Sequence, residues 1–251
     1  MINIWNITKE YEVKGQAVRI IEEIDFKVED GIFFAIVGTS GCGKSTLLRI
    51  VAGLERATSG KILCGGEIVI GPGAERGMVF QDHALLPWRT VLKNVELGLE
   101  LRPIGKAERR ERARRCLNLV GLGDHLGKYP CELSGGMKRR VALARTFVTN
   151  PNVLLMDEPF AALDAQTKME MQKELLNIWL IDKPIVLFVT HDVDEAIFLA
   201  DRICVLSSSP GRIKSIVNNP LPRANDGSRD RKTSEFMEME DRLMAMIDKG
   251  W

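Results

Sequence analysis

One stretch, Gly38-Thr39-Ser40-Gly41-Cys42-Gly43-Lys44-Ser45-Thr46, constrains this chain more than any other. Its glycines let consecutive backbone N–H groups curl around phosphate oxygens, Lys44 supplies a point charge, and Ser45 offers a hydroxyl to Mg²⁺. It follows the apolar run Ile32–Val37, of buried-strand type, and precedes Leu47–Ala52, which reads as helix. Glycine-rich loops also serve plain strand-to-helix turns, but Lys-Ser-Thr at the helix start favours a nucleotide phosphate site in a strand–loop–helix unit.

At 251 residues the chain fits one elaborated domain. Its formal net charge of +1 carries no global footprint for nucleic acid, so none is expected as a partner. The five cysteines are scattered and never at C-x-x-C spacing, which argues against a disulfide framework or a structural zinc and for a reducing cytoplasm. No run approaches the ~18 apolar residues of a membrane span, so contact with a membrane is expected only through another protein.

Ile2, Ile4 and Ile7, then Ile24, Phe26 and Val28, alternate with solvated positions and predict an N-terminal antiparallel sheet. Lys61–Cys64 and Glu67–Ile70, split by Gly65-Gly66, predict a hairpin, and Met78–Phe80 a short strand. From about Asp82 to Asn150 the pattern is helical, with the charges over Lys106–Arg112 forming a solvated face. Strands at Val153–Met156, Ile185–Val189 and Ile203–Leu206 then alternate with helices over Asp164–Leu180 and Val193–Leu199, which builds a parallel sheet. Asn218–Lys232 reads as a linker. Phe236, Met239, Leu243 and Met246/Ile247 make a short amphipathic helix, read as a tail docked on its own domain.

Asp157 and Glu158 end the apolar strand at 153–156, and ligands of parallel α/β folds sit at the carboxyl ends of strands. Adjacent acids can merely cap an element, but beside a phosphate loop they fit Asp157 reaching Mg²⁺ through water and Glu158 deprotonating an attacking water. Ser134-Gly135-Gly136 offers a good N-cap, glycines that permit close backbone approach, and a following helix whose start is an anion site.

The phosphate loop, Gln81 after a strand, Leu133-Ser134-Gly135-Gly136-Met137, the strand ending Asp157-Glu158-Pro159, Ala162-Leu163-Asp164 and Thr190-His191-Asp192 stand in one order. In that order, from about residue 2 to 215, the chain resembles the ATPase subunit of an ABC transporter. The resemblance implies an α/β P-loop NTPase with a RecA-like parallel-sheet core, an N-terminal antiparallel β-subdomain and an inserted helical subdomain. Residues 1–81 and 151–217 would form the nucleotide-binding core with the antiparallel sheet, 82–150 the helical subdomain, and 218–251 the linker and C-terminal helix. It further implies that Tyr11 stacks on adenine, that Gln81 senses the γ-phosphate and Mg²⁺, that Leu163-Asp164 lies at a dimer seam, and that His191 contacts the γ-phosphate. His83 and His125 have no such context and are left structural.

Family geometry also places the Ser134 helix too far from its own phosphate loop to share one ATP, so a second copy of the ATPase is expected to complete each site. Met137, Arg139 and Ala161 depart from the commoner Gln, Gln and Ser. The last two are expected to alter only polar contacts across the dimer. Cys42 in the loop is expected to make the site sensitive to thiol reagents. Val79–Val91, with its Leu85-Leu86-Pro87-Trp88 stretch, Phe188–Ala196 and Ser209–Ile213 resemble the nitrate/sulfonate/taurine/bicarbonate importers. This implies transmembrane permease subunits as partners at the cytoplasmic face of the membrane, a periplasmic or lipid-anchored substrate-binding protein beyond them, and an apolar docking surface around Trp88. The rival class is a soluble ABC ATPase of DNA repair or iron–sulfur assembly, which would usually add a coiled coil, a second cassette or insertions.

Overall fold

The computed structural model describes residues 1–80, 84–161 and 163–248. Its chain begins with two long strands, β1 (Ile2–Val13) and β2 (Gln16–Val28), paired antiparallel with Ile2 opposite Val28 and Ile4 opposite Phe26. The Lys14-Gly15 turn between them has φ of 53° and 76°, the two positive values that match the right-handed twist of a tight hairpin. β4 (Ser59–Cys64) joins the other side of β1, and β5 (Glu67–Ile68) closes the sheet through a Gly65-Gly66 turn. The second arm of this hairpin is shorter than expected. Val69 still donates to the carbonyl of Ile62, but Ile70 projects into solvent.

A second sheet has the order β10-β9-β3-β8-β7-β6. Five strands, β3 (Phe33–Val37), β6 (Arg76–Val79), β7 (Val153–Asp157), β8 (Ile185–Val189) and β9 (Arg202–Leu206), run parallel, and β10 (Ile213–Asn218) is an antiparallel edge. Every residue of β3, β7 and β8 is buried, as expected of parallel strands covered on both faces. Strand alternation divides them between two cores. Phe33, Ala35, Leu154, Met156 and Phe188 face α5 (Ala165–Asp182) and α6 (Val193–Leu199), while Phe34, Ile36, Leu155 and Leu187 face α1 (Lys44–Ala52) and the antiparallel sheet.

A third core, with Val95, Leu117 and Val141, binds together α2 (Val91–Glu100), α3 (Lys106–Leu119) and α4 (Gly135–Phe147). Helix begins later in this region than its composition suggests. Residues 84–90 are turn and irregular chain, and Thr90 caps α2 by accepting from the N–H of Lys93.

The segment read as a linker packs instead against the core. Asn219 donates to the carbonyls of Ile197 and Ala200, Arg223 pairs with Asp201 at 2.6 Å, and Arg229 is buried with its guanidinium on the carbonyl of Phe198. Its polar and proline content signals irregular backbone, but the arginines satisfy carbonyls at the end of α6 and hold the segment down. The helix beyond, α7 (Ser234–Asp248), docks as expected, with Phe236, Met239 and Leu243 in the core.

Candidate functional site

The carboxyl ends of β3, β7 and β8 bring Lys44, Ser45, Asp157, Glu158 and His191 to one edge of the sheet. From β3 the chain turns through 38–43 into α1, and Gly43 sits at its start with φ 92°. A Cβ there would lie 2.7 Å from Ile21, so both backbone sign and space demand glycine. Lys44, only 5% exposed, folds back over the loop and donates to the carbonyls of Gly38 (2.8 Å) and Thr39 (2.9 Å). That holds an ammonium against the loop, where a polyphosphate could take over from the two carbonyls. Thr39, Ser40 and Gly41 form the loop's outer rim. Cys42 lies beneath it, 1% exposed, and burial pushes its thiol above the ordinary range despite Lys44 nearby. Burial and a raised thiol pKa argue against the expected thiol sensitivity and give Cys42 a packing role beneath the loop.

Ser45 Oγ donates to Asp157 Oδ1 at 2.7 Å, joining the start of α1 to the end of β7. Burial raises the Asp157 carboxyl's pKa, against the opposing pull of Ser45. A hydroxyl and a carboxylate in contact form a hard-oxygen donor pair of the kind that suits Mg²⁺, which takes one or two protein ligands and completes its shell with phosphates and water. Among the described residues no cluster of His, Cys, Asp or Glu would hold a metal unaided.

Beyond Asp157, Glu158 has φ 42°, and its N–H donates to the carbonyl of Val189 at 2.9 Å. Its Oε2 lies 3.1 Å from Nδ1 of His191, which follows β8 and stands largely in solvent. The carboxylate, held against the imidazole, can accept from and orient a water. Tyr11, on β1, donates from its hydroxyl to Glu55 and lies beside Thr46 at the start of α1, with Lys9 Nζ 4.6 Å above its ring. Burial and the Glu55 bond raise the phenol's pKa. Gln81 and His83 lie outside the described residues.

Ser134 caps α4, accepting from the N–H of Met137 at 3.3 Å. Together with Gly135 and Gly136 it lines a shallow cleft with Leu163, Asp164 and Thr167 rather than with the phosphate loop. A Cβ at Gly136 would approach Thr167 to 3.1 Å, so this glycine lets α4 and α5 start side by side. His125 stays in the helical region and touches none of these groups.

Two features escaped sequence reasoning. Arg139 does not face outward toward a dimer seam, as its position suggested. It is buried, and its guanidinium donates to the carbonyls of Phe80, Glu158 and Pro159. Burial pulls its pKa down to about 10, partly offset by Asp157. The second feature is a charged network behind His191. Lys168 of α5 pairs with Asp192 and, at 2.7 Å, with buried Glu195, which also accepts from Thr190 Oγ1 at 2.6 Å. Asp192 caps α6 by accepting from the N–H of Glu195, and an Asp-x-x-Glu pattern at a helix start was a legible hint. Nothing in the sequence pointed to Lys168.

Residues 21–161 match the ABC transporter family. An uncharacterized ABC transporter ATP-binding protein of Methanocaldococcus jannaschii is 50% identical over 98% of this chain and 91% of its own length. The nitrate import ATP-binding protein NrtD of Synechocystis is 45% identical over 98% of this chain and 94% of its own. The aliphatic sulfonates import ATP-binding protein SsuB of Bacillus cereus is 40% identical over 99% and 96%. Among solved structures, a dimeric ATP-binding cassette in a post-hydrolysis state with ADP and Pi superposes with a TM-score of 0.78 at 31% identity, covering 87% of this chain and 99% of that one. The fold and the phosphate loop define a P-loop ATPase. This chain belongs to the ABC transporter family, as its ATP-binding, ATP-hydrolysing cassette.

Proposed function

We propose that this cassette works as one of two copies beneath a membrane permease, energising uptake of a small oxyanion such as nitrate, an alkanesulfonate, taurine or bicarbonate. The names of the NrtD and SsuB relatives and the Leu85–Trp88 stretch support the solute class, and Trp88, 71% exposed, supports a docking surface for the permease. Among the described residues no helix is long and apolar enough to cross a membrane, so the path for solute belongs to other subunits. A substrate-binding protein would deliver it on the far side. The relatives named above lend nothing to a role in DNA repair or iron–sulfur assembly.

For hydrolysis, the observation that carries the reading is the Glu158–His191 contact beside the Ser45–Asp157 pair. Gly38–Thr46 would cradle the phosphates, with Lys44 turning from the loop carbonyls to the β- and γ-phosphates. Tyr11 would stack on adenine. Ser45, Asp157 and Gln81 would hold Mg²⁺, which neutralises charge on the phosphates when bound. Glu158 takes the proton of the attacking water, and His191 holds the γ-phosphate in line. Ser134, Gly135 and Gly136 of the second copy present a helix start to the same γ-phosphate, since in their own chain they open toward Asp164 and not toward the loop.

Glu158→Gln keeps size and hydrogen bonding but removes the base. It is expected to slow turnover by roughly 10²–10⁴-fold, about 3–5 kcal/mol of barrier, with ATP still bound. Light scattering should then show ATP-dependent dimers of Glu158→Gln that Ser134→Arg abolishes. A protein that stayed monomeric at saturating ATP, with and without its permease, would refute the shared site. Normal uptake of all four solutes after gene deletion would move the assignment to another solute class.

A further inference from the structure

We propose that Arg139 is a positioning residue for hydrolysis: its guanidinium sets the backbone that aims Glu158 and ties it to the segment leading toward Trp88. This rests on the reading of Glu158 as the base.

Glu158 adopts φ 42°, a left-handed conformation that is uncommon outside glycine and persists where the surroundings over-determine it. Its N–H is held by Val189, at 2.9 Å. Its carbonyl accepts from the N–H of Ala161 at 3.2 Å and from Arg139 Nη2 at 3.3 Å, and the next carbonyl, of Pro159, accepts from Arg139 Nε. The same guanidinium reaches the other way, with Nη1 donating to the carbonyl of Phe80 at 2.6 Å. Its side chain therefore spans the ends of β6 and β7 and fixes the peptide groups from which the Glu158 carboxylate projects.

The chemistry calls for arginine's planar fork. Its N–H groups diverge in one plane and so serve carbonyls on separate segments together, whereas a glutamine amide has two N–H groups and methionine none. The guanidinium remains cationic at neutral pH even in this buried position. Six residues further along α4, Arg145 Nη1 donates to the carbonyl of Ala84 at 2.6 Å. Phe80 and Ala84 flank residues 81–83, so one helix grips both sides of that segment while also gripping Glu158. A movement of α4 relative to the parallel sheet is thus felt at the Glu158 backbone directly, in addition to any route through bound ATP.

The test is steady-state hydrolysis by Arg139→Met, Arg139→Gln and Arg139→Lys, with nucleotide binding measured by a fluorescent ATP analogue. Arg139→Met is expected to lose roughly 10–100-fold in kcat, the scale of a small misplacement of a reacting group, while KM for ATP stays within about 3-fold. Arg139→Gln, which can serve part of the set, should recover most of the rate. Where Arg139→Met does not fold, Arg139→Lys keeps the cation without the fork and should lose about 10-fold in kcat at unchanged KM. Wild-type kcat in Met or Lys overturns the proposal, as does an equal loss in all the variants with a raised KM, which is the mark of general damage.

Single-turnover hydrolysis in the Glu158→Gln background separates this proposal from the reading beneath it. If Arg139 acts through Glu158, adding Arg139→Met costs no more than about 2-fold further, because coupled residues are not additive. A full multiplicative loss places its action elsewhere and overturns the role. A Glu158→Gln protein that hydrolyses at the wild-type rate removes the base assignment itself, while Glu158→Gln slow and Arg139→Met fast removes only the strut.

Discussion

Removing Lys168 should leave a buried negative charge without its partner. Glu195 is 3% exposed and faces Lys168 Nζ at 2.7 Å, with Asp192 on the same ammonium. Breaking a buried pair from one side commonly costs about 3–5 kcal/mol. Lys168 keeps about a quarter of its side-chain exposure, so the low end, about 3 kcal/mol, is expected for Lys168→Met. In a chain of this size each kcal/mol moves Tm by about 2–4 °C, which gives a fall of about 6–12 °C. The proton linkage fixes the pH window. Burial lowers the Lys168 pKa, but the bonds to Asp192 and Glu195 outweigh it and hold the ammonium above its ordinary value. Its contribution is therefore complete below about pH 10, the unfolded value, and is lost only as pH rises through the folded one. At pH 7 the full difference should appear in calorimetry or urea melts. Glu195→Gln placed on Lys168→Met removes the stranded charge, and its amide oxygen can still accept from Thr190, so at least half of the loss should return. A fall below 2 °C for Lys168→Met, or no recovery in the double variant, would refute the claim that this network is held by charge pairing in a buried setting.

Thiol labelling offers a second check. At pH 8 a maleimide or disulfide reagent should modify exposed Cys131 rapidly and spare Cys42 and Cys204 until denaturant is added, since both are buried and burial pushes the Cys204 thiol up to about 12. Rapid loss of ATPase activity by modification at Cys42 would contradict its placement beneath the loop. Phe236→Ala should cost about 3–5 kcal/mol in urea unfolding, because the ring is 1% exposed in a core shared with α6. A change below about 1 kcal/mol would mean that α7 is not part of the cooperative unit.

Much of this cassette was legible before any coordinate. Local chemistry determined the phosphate loop, since Gly43 must adopt positive φ and Lys44-Ser45 must open a helix. The apolar runs at 32–37, 153–156 and 185–189 announced doubly covered parallel strands, and the acids after the second of them marked a strand end. The stripe of Phe236, Met239 and Leu243 announced a docked helix. These signals are short-range: each is written in the residues of one element and its immediate flanks. What only the tertiary structure decided was the pairing of elements distant in the chain. Whether polar residues over 218–232 make a tether or a clasp depends on whether carbonyls of α6 stand opposite Arg223 and Arg229. Whether Arg139 looks outward or inward depends on where the carbonyls of Phe80 and Pro159, just past β6 and β7, stand, 59 and 20 residues away in sequence. Lys168 has meaning only because α5 runs past the start of α6. Burial turns each of these long, charged side chains from a solvated surface group into a fixed donor, and burial belongs to the assembled fold rather than to any stretch of sequence.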